Sequence, residues 1–185
     1  MTPLLALRDL TVTYSTEAGR LRAARAVSFD LAAGEALGLV GESGSGKSTI
    51  AGAILDLLSD GATVEGHILF QSVDLGGLNA KRRRKLLGHR IGAVFQDPFT
   101  ALDPAMTIGR QIVEPLVEHL RLHPRAAMER ACELLADMGI DQPRRVAAAY
   151  PHQLSGGMRQ RALIAAAVAC EPSLLCSTSR RPHST

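Results

Sequence analysis

Three observations predict an α/β fold with an antiparallel N-terminal sheet and an inserted helical lobe. The apolar run Ala36-Leu37-Gly38-Leu39-Val40 leads into a glycine-rich loop, and that loop into an apolar, helix-length run at 50–58. Before it, up to residue 31, apolar and polar residues alternate as in half-buried strands. Between Thr107 and Ala149 the apolar spacing changes to that of amphipathic helices.

The elements follow in order. Residues 5–14 place Leu5, Leu7, Leu10, Val12 and Tyr14 in a strand-like alternation with one irregularity near Arg8-Asp9. Glu17-Ala18-Gly19-Arg20 reads as a turn, 26–31 as a second strand, and Ala33-Gly34-Glu35 as the turn into 36–40. That apolar run reads as a buried parallel strand. Ser59-Asp60-Gly61 closes the first helix, 64–70 is a strand containing Gly66, and 73–80 is loop-like. Lys81-Arg82-Arg83-Arg84-Lys85 is a solvated helix face; no second basic stretch or aromatic accompanies it as nucleic-acid contact requires. Residues 91–95 form another apolar strand, which delivers Gln96-Asp97-Pro98 to its C-terminal end, where ligands of parallel sheets sit.

In the helical stretch, Ile108, Ile112, Val113 and Leu116 share a face, with Pro115 expected to kink it. Cys132, Leu135 and Met138 form the stripe of a helix over 126–138, and Gly139 suits its C-terminal cap. Tyr150-Pro151-His152-Gln153-Leu154-Ser155-Gly156-Gly157 then leads into a helix over 158–170, with Ser155 as N-cap. Glycines at a helix start are poor for stability and make sense where something must approach the backbone. Glu171-Pro172 stops that helix, and Ser173-Leu174-Leu175 begins a strand.

The most specific local signal is Gly41-Glu42-Ser43-Gly44-Ser45-Gly46-Lys47-Ser48-Thr49, which fits G-x-x-x-x-G-K-[ST] without departure. Phosphates need a concave row of backbone N–H donors, and Gly41, Gly44 and Gly46 let the backbone bend around an anion. Lys47 is placed to reach the outer phosphates, Ser48 to ligate Mg²⁺, and Thr49 stands in the first turn of a helix whose N-terminus favours anions. A Gly/Ser linker has no need of Lys-Ser at its end or of a strand at its start.

Composition narrows the class. The 185 residues are 46% hydrophobic and 21% charged, with a formal charge of +3, which suits one globular unit of one or two lobes without demanding nucleic acid. Aromatics are 3% with no Trp, so base-stacking platforms for nucleic acid are not expected. Cys132, Cys170 and Cys176 lack metal spacing and read as reduced thiols of a cytosolic protein. The N-terminus lacks a signal-peptide layout and no run reaches the roughly 18 apolar residues of a membrane span, so any membrane role must come through a partner.

Taken together, the phosphate loop, Phe95-Gln96-Asp97-Pro98 and the stretch from Tyr150 to Gln160 resemble, in order and spacing, the ATP-binding subunit of an ABC transporter, in the oligopeptide/dipeptide/nickel importer branch. The resemblance covers about residues 4–175. It implies an α/β P-loop NTPase core of ABC type over 1–96 and 156–175, with the C-terminal part of the core missing, a helical signature lobe at 97–155 and an aberrant tail at 176–185. It implies ATP and Mg²⁺ as cofactors, with Tyr14 stacking on adenine and residues Gly41, Glu42, Ser43, Gly44, Ser45, Gly46, Lys47, Ser48 and Thr49 holding the phosphates. Ser48 and Gln96 contact Mg²⁺, Gln96 also touching the attacking water and sensing the membrane partner. Ser155, Gly156 and Gly157 bind the γ-phosphate of ATP held by a second subunit. Partners are transmembrane permease subunits docked on the helical lobe, a second ATP-binding subunit (the same or different), and indirectly a periplasmic or extracellular substrate-binding protein. The place is the cytoplasmic face of the cell membrane, peripherally.

The end of the chain departs from that family. Where the family continues into a Mg²⁺ aspartate and a water-polarising glutamate, residues 176–185 read Cys-Ser-Thr-Ser-Arg-Arg-Pro-His-Ser-Thr, without an acidic residue or apolar periodicity. Such a tail is not expected to complete a buried central strand, and His183 stands too soon after the signature to be the family's switch histidine. One permitted set of codons for this tail, read from its third base, encodes Leu-Asp-Glu-Pro-Thr-Thr-Ala-Leu-Asp, which resembles the family segment. The expectation is a frameshift after about Leu175, weak ATP binding and hydrolysis at or near background; a nucleotide read with incompatible codons refutes the frameshift. The other readings are a stand-alone nucleotide-binding module without ATPase activity and an ABC-type ATPase of nucleic-acid metabolism. The latter needs a long coiled coil for which the 97–155 lobe is too short.

Overall fold

A computed structural model describes residues 2–17, 19–95 and 97–178. The chain forms two compact units, one running to Arg83 and one from Arg84 through the last described strand.

The first unit is an antiparallel sheet with one helix. Strands β1 (Leu5–Thr16), β2 (Gly19–Leu31), β3 (Ala62–Phe70) and the short β4 (Val73–Asp74) stand in the order β2-β1-β3-β4. β4 falls inside the stretch read as a loop. On β1, Leu5, Ala6 and Leu7 are all buried, so the strand's start is covered on both faces, and only beyond residue 9 does burial alternate, with Leu10 and Val12 in the core. The irregularity expected near Arg8-Asp9 is a bulge: Asp9 has φ 49° and the β1–β3 register shifts between Arg8 and Thr11. Gly66 (φ 88°) stands opposite it; a Cβ there would lie 2.5 Å from the Arg8 carbonyl oxygen. Two further irregularities lie on β2, the first between Val27 and Ala24 and the second at Ala23. Val12 pairs with Ala24 but Thr13 pairs with Arg22, so Ala23 is an extra residue with no cross-strand partner.

Helix α1 (Lys47–Leu55) follows the glycine-rich loop. It ends three residues before the expected Leu58. Asp56 adopts a left-handed conformation (φ 58°), its N–H and that of Leu57 both bond the Gly52 carbonyl, and Leu58 folds back against Gly52. The Arg83 guanidinium binds both the Asp56 carboxylate and the Leu75 carbonyl.

The expected strand at 36–40 does not form. Those residues have no strand structure, and Leu37, Leu39 and Val40 are exposed, Val40 to 92%. Apolar character suits a strand, but a strand exists only where a neighbour takes its N–H and C=O groups. No described strand pairs with 36–40.

Helix α2 (Ala80–Leu86) carries the basic run with no buried residue, as a solvated face should. In the second unit β5 (Ile91–Phe95) pairs in parallel with β6 (Leu174–Thr178), Ile91 opposite Leu174 and Phe95 opposite Thr178. Here the sequence expectation needs correction: the strand continues through Cys176, Ser177 and Thr178 despite their polar character. Ladder bonds to β5 are made by backbone, and Cys176 packs as a small apolar residue, half-buried.

Between β5 and β6 lie α3 (Pro98–Ala101), α4 (Ile108–Leu120), α5 (Pro124–Asp137), α6 (Pro143–Ala148), a 3₁₀ turn (Pro151–Gln153) and α7 (Gly156–Val168). Pro115 does not end α4, whose Ile108, Ile112 and Leu116 are buried while Val113 is half-buried. On α5 the buried residues are Ala127, Ala131, Leu134 and Leu135; of the predicted stripe Leu135 is buried, and Cys132 and Met138 pack half-buried against the same core. Small residues set this contact. A Cβ on Gly109 of α4 would lie 2.9 Å from the Ala147 Cβ of α6 and 3.1 Å from the Met128 sulfur of α5. Gly139, with φ 73°, closes α5 as predicted. Among the described residues no helix is long and apolar enough to cross a membrane.

Candidate nucleotide-binding site

The loop from Gly41 to Gly46 turns twice through positive φ, at Gly44 (82°) and Gly46 (86°), and enters α1 at Lys47. No side chain caps the first turn of α1, so its backbone donors are left for another acceptor. Lys47 curls back over the loop. Its Nζ donates to the Gly41 carbonyl (2.8 Å), the Glu42 carbonyl (2.5 Å) and the Ser45 hydroxyl (2.8 Å). A positive charge is thus held beside a row of N–H groups, the arrangement that receives a polyphosphate. Ser43 lies in the turn of this loop, and Ser48 and Thr49 stand in the first turn of α1.

The loop is wedged against the N-terminal sheet. A Cβ on Gly46 would lie 2.1 Å from the Ala23 carbonyl oxygen and 3.7 Å from the Ala24 Cα. The unpartnered residue of the β2 bulge therefore meets the last glycine of the loop. Nothing in the sequence marks Ala23: alanine is unremarkable in a strand, and a bulge appears only once the register is known.

Tyr14 stands on β1 opposite Leu21 of β2 and Ala62 of β3, two residues from the buried Val12 and on the same face. It is half-buried. Gln96 lies outside the described residues, as do 179–185 with His183; β5 is described up to Phe95. In the second unit Ser155 caps α7, accepting from the Met158 N–H at 3.4 Å. Gly156 and Gly157 begin that helix, and a Cβ on either would meet no atom within 4 Å.

The loop fits a nucleotide polyphosphate by its donors and by two glycines that leave no room for a Cβ; on Gly41 it would lie 2.8 Å from the Ser45 Oγ. Mg²⁺ fits only as an ion brought with the nucleotide. Among the described residues no cluster of three His, Cys, Asp or Glu could hold a metal, and Ser48 offers a single hydroxyl. Elsewhere, the hydrogen bond from His67 holds the Asp74 carboxyl below its ordinary pKa, and burial pushes the Cys176 thiol up to about 11.

Fold and loop together define a nucleotide-binding cassette, and comparison with known proteins agrees. The ABC transporter family model matches residues 24–177, and the chain belongs to that family. It is 45% identical over 177 residues to the oligopeptide transport ATP-binding protein OppD of Bacillus subtilis, covering 95% of this chain and 49% of that protein. It is likewise 45% identical over 174 residues to the dipeptide transport ATP-binding protein DppD of Lactococcus lactis, covering 93% of this chain and 50% of that one. The chain thus spans about half the length of these curated relatives. The ATP-binding cassette MJ0796, solved as a dimer in a post-hydrolysis state bound to ADP and Pi, superposes with a TM-score of 0.82 at 30% identity; the match covers 94% of this chain and 72% of that one.

Proposed function

We propose that this chain is the ATP-binding portion of the ATPase subunit of a peptide importer, working peripherally at the cytoplasmic face of a membrane beside permease subunits and a second ATP-binding subunit. The observation that carries the reading is Lys47, held by the Gly41 and Glu42 carbonyls at the uncapped start of α1. The names of its relatives support peptides as cargo over nickel.

In this reading the N–H groups of residues 41–49 bind the β- and γ-phosphates, and Lys47 neutralises their charge. Tyr14 stacks on the base. Ser48, together with Gln96 as the family resemblance implies, would hold Mg²⁺, which when bound neutralises phosphate charge and polarises the phosphoryl group. Ser155, Gly156 and Gly157 present the start of α7 to the γ-phosphate of a nucleotide on the second subunit. The helices between β5 and α7 dock the permease. Ser177 and Thr178 occupy β6 where hydrolysis calls for carboxylates, so turnover by this polypeptide is at or near background.

Equilibrium binding of a fluorescent ATP analogue tests the reading. Lys47→Ala is expected to weaken binding about tenfold or more, the loss of a charge-assisted contact, with little change in thermal stability. Equal affinity of the two proteins would refute it.

A further inference from the structure

We propose that His119 and His89 form a proton-sensitive latch, which holds the last turn of α4 against the turn that enters β5 and releases it in mild acid. Both residues lie in the second unit, and the latch does not depend on nucleotide binding.

The two imidazole rings are stacked, their centroids 6.0 Å apart and their planes 14° from parallel. His119 lies in the last turn of α4, and His89 in the turn between α2 and β5. Gly88 leaves room for this contact. Its φ of 79° is left-handed, and a Cβ there would lie 3.0 Å from the His119 Nε2. The turn is also a junction. The Gly88 N–H donates to the Ile91 carbonyl (2.8 Å) at the start of β5. The Arg90 carbonyl accepts from the N–H groups of Ser173 (2.9 Å) and Leu174 (3.1 Å) where β6 begins. A contact that holds the 88–90 turn therefore holds the entry to both parallel strands.

Charge on His119 works against this packing. Half-burial opposes the charge first, and the facing His89 ring opposes it next, as does Arg121 at the helix end. Glu118 favours the charge, and so do the free carbonyls at the C-terminus of α4. The opposing effects prevail, and the His119 pKa lies below its ordinary value. Arg90, the other charge of the turn, donates from Nε to the Ser173 hydroxyl at 3.2 Å. Beyond the end of α7, the Cys170 thiol bonds the Pro115 carbonyl one turn back on α4, and burial keeps that thiol neutral. The folded chain thus takes up the His119 proton less readily than an unfolded one. The stabilisation from the contact is complete above the ordinary histidine pKa of about 6.5 and is lost progressively below it. The repulsion then acts across the stack, between α4 and the 88–90 turn.

The test compares the chain with His119→Phe and His89→Phe from about pH 7.5 to about pH 5.5. It reads the NMR titration of the His119 ring, hydrogen exchange at the Gly88 amide, and the melting temperature. In the parent, His119 is expected to titrate below about 6.5 and the Gly88 protection factor to fall about fivefold or more toward acid. The melting temperature is expected to fall at least about 2 °C further than in His119→Phe. Phenylalanine keeps a ring in the stack with no proton to gain, so His119→Phe is expected to keep Gly88 protected at the acid end. His89→Phe removes the facing charge and is expected to raise the pH at which His119 titrates, a change that packing alone does not bring. Titration of His119 at or above its ordinary value in the parent, or an equal loss of Gly88 protection in His119→Phe, would overturn the latch. If His119→Phe does not fold, His89→Phe decides: a His119 titration unmoved from that of the parent refutes the pairing.

Discussion

Two helices of this chain begin with glycine beside a site assigned to phosphate, and they do so for different reasons. At the start of α1, Gly46 sits in a left-handed conformation and is pressed against the Ala23 carbonyl; the chain's own backbone leaves no space for a side chain. At the start of α7, Gly156 and Gly157 stand in open space behind a conventional serine cap. Intramolecular packing accounts for the first glycine. It gives no account of the other two, whose small size matters only if something outside this chain approaches the backbone. A glycine required by its own fold and one standing in open space look alike in sequence and are separated by what surrounds the missing Cβ.

The largest effect that could break this comparison is expected from Gly46→Ala. A left-handed alanine costs about 1–2 kcal/mol, and the contact with the Ala23 carbonyl adds to that, so the melting temperature should fall by several degrees and ATP binding should be lost. Unchanged melting would mean that the loop moves freely off the sheet. Ser155→Ala comes next. Losing the cap on α7 is expected to cost about 1 kcal/mol, read by chemical denaturation, with ATP affinity of the isolated chain unaltered. The smallest effect is expected from Gly156→Ala and Gly157→Ala. In open space the added methyl is tolerated and helix propensity improves, so stability should hold or rise by a few tenths of a kcal/mol. A drop of several degrees in melting would show that these glycines are needed internally after all. Their cost should appear only when a second subunit is present, as weaker ATP-dependent association.

Much of this was legible beforehand because it is written in short-range chemistry. The loop pattern, the Ser155 cap, the Gly139 stop, the solvated basic helix and the Asp9 irregularity each depend on a few consecutive residues. The errors fall where a partner distant in sequence decides. Residues 36–40 have the apolarity of a buried strand, but no described neighbour supplies its ladder. Residues 176–178 lack apolarity yet join β6, because β5 offers backbone partners regardless of side chain. On α5 the predicted stripe packs in the core but left out Ala127 and Ala131, because close helix approach rewards small residues, which periodicity alone undervalues.

By itself, then, the sequence determined where the phosphate loop lies, which helix it opens, and which residues cap or stop the helices, since φ preference and hydrogen-bonding capacity are properties of each residue and its immediate neighbours. Only the tertiary structure decided that Ala23 is the bulge meeting Gly46 and that Leu21 stands beside Tyr14. Both depend on cross-strand register, and one extra residue in β2 moves every later pairing along the hairpin. Which side chains stand beside one another on the sheet is thus a matter of how the strands are aligned, which no local pattern encodes.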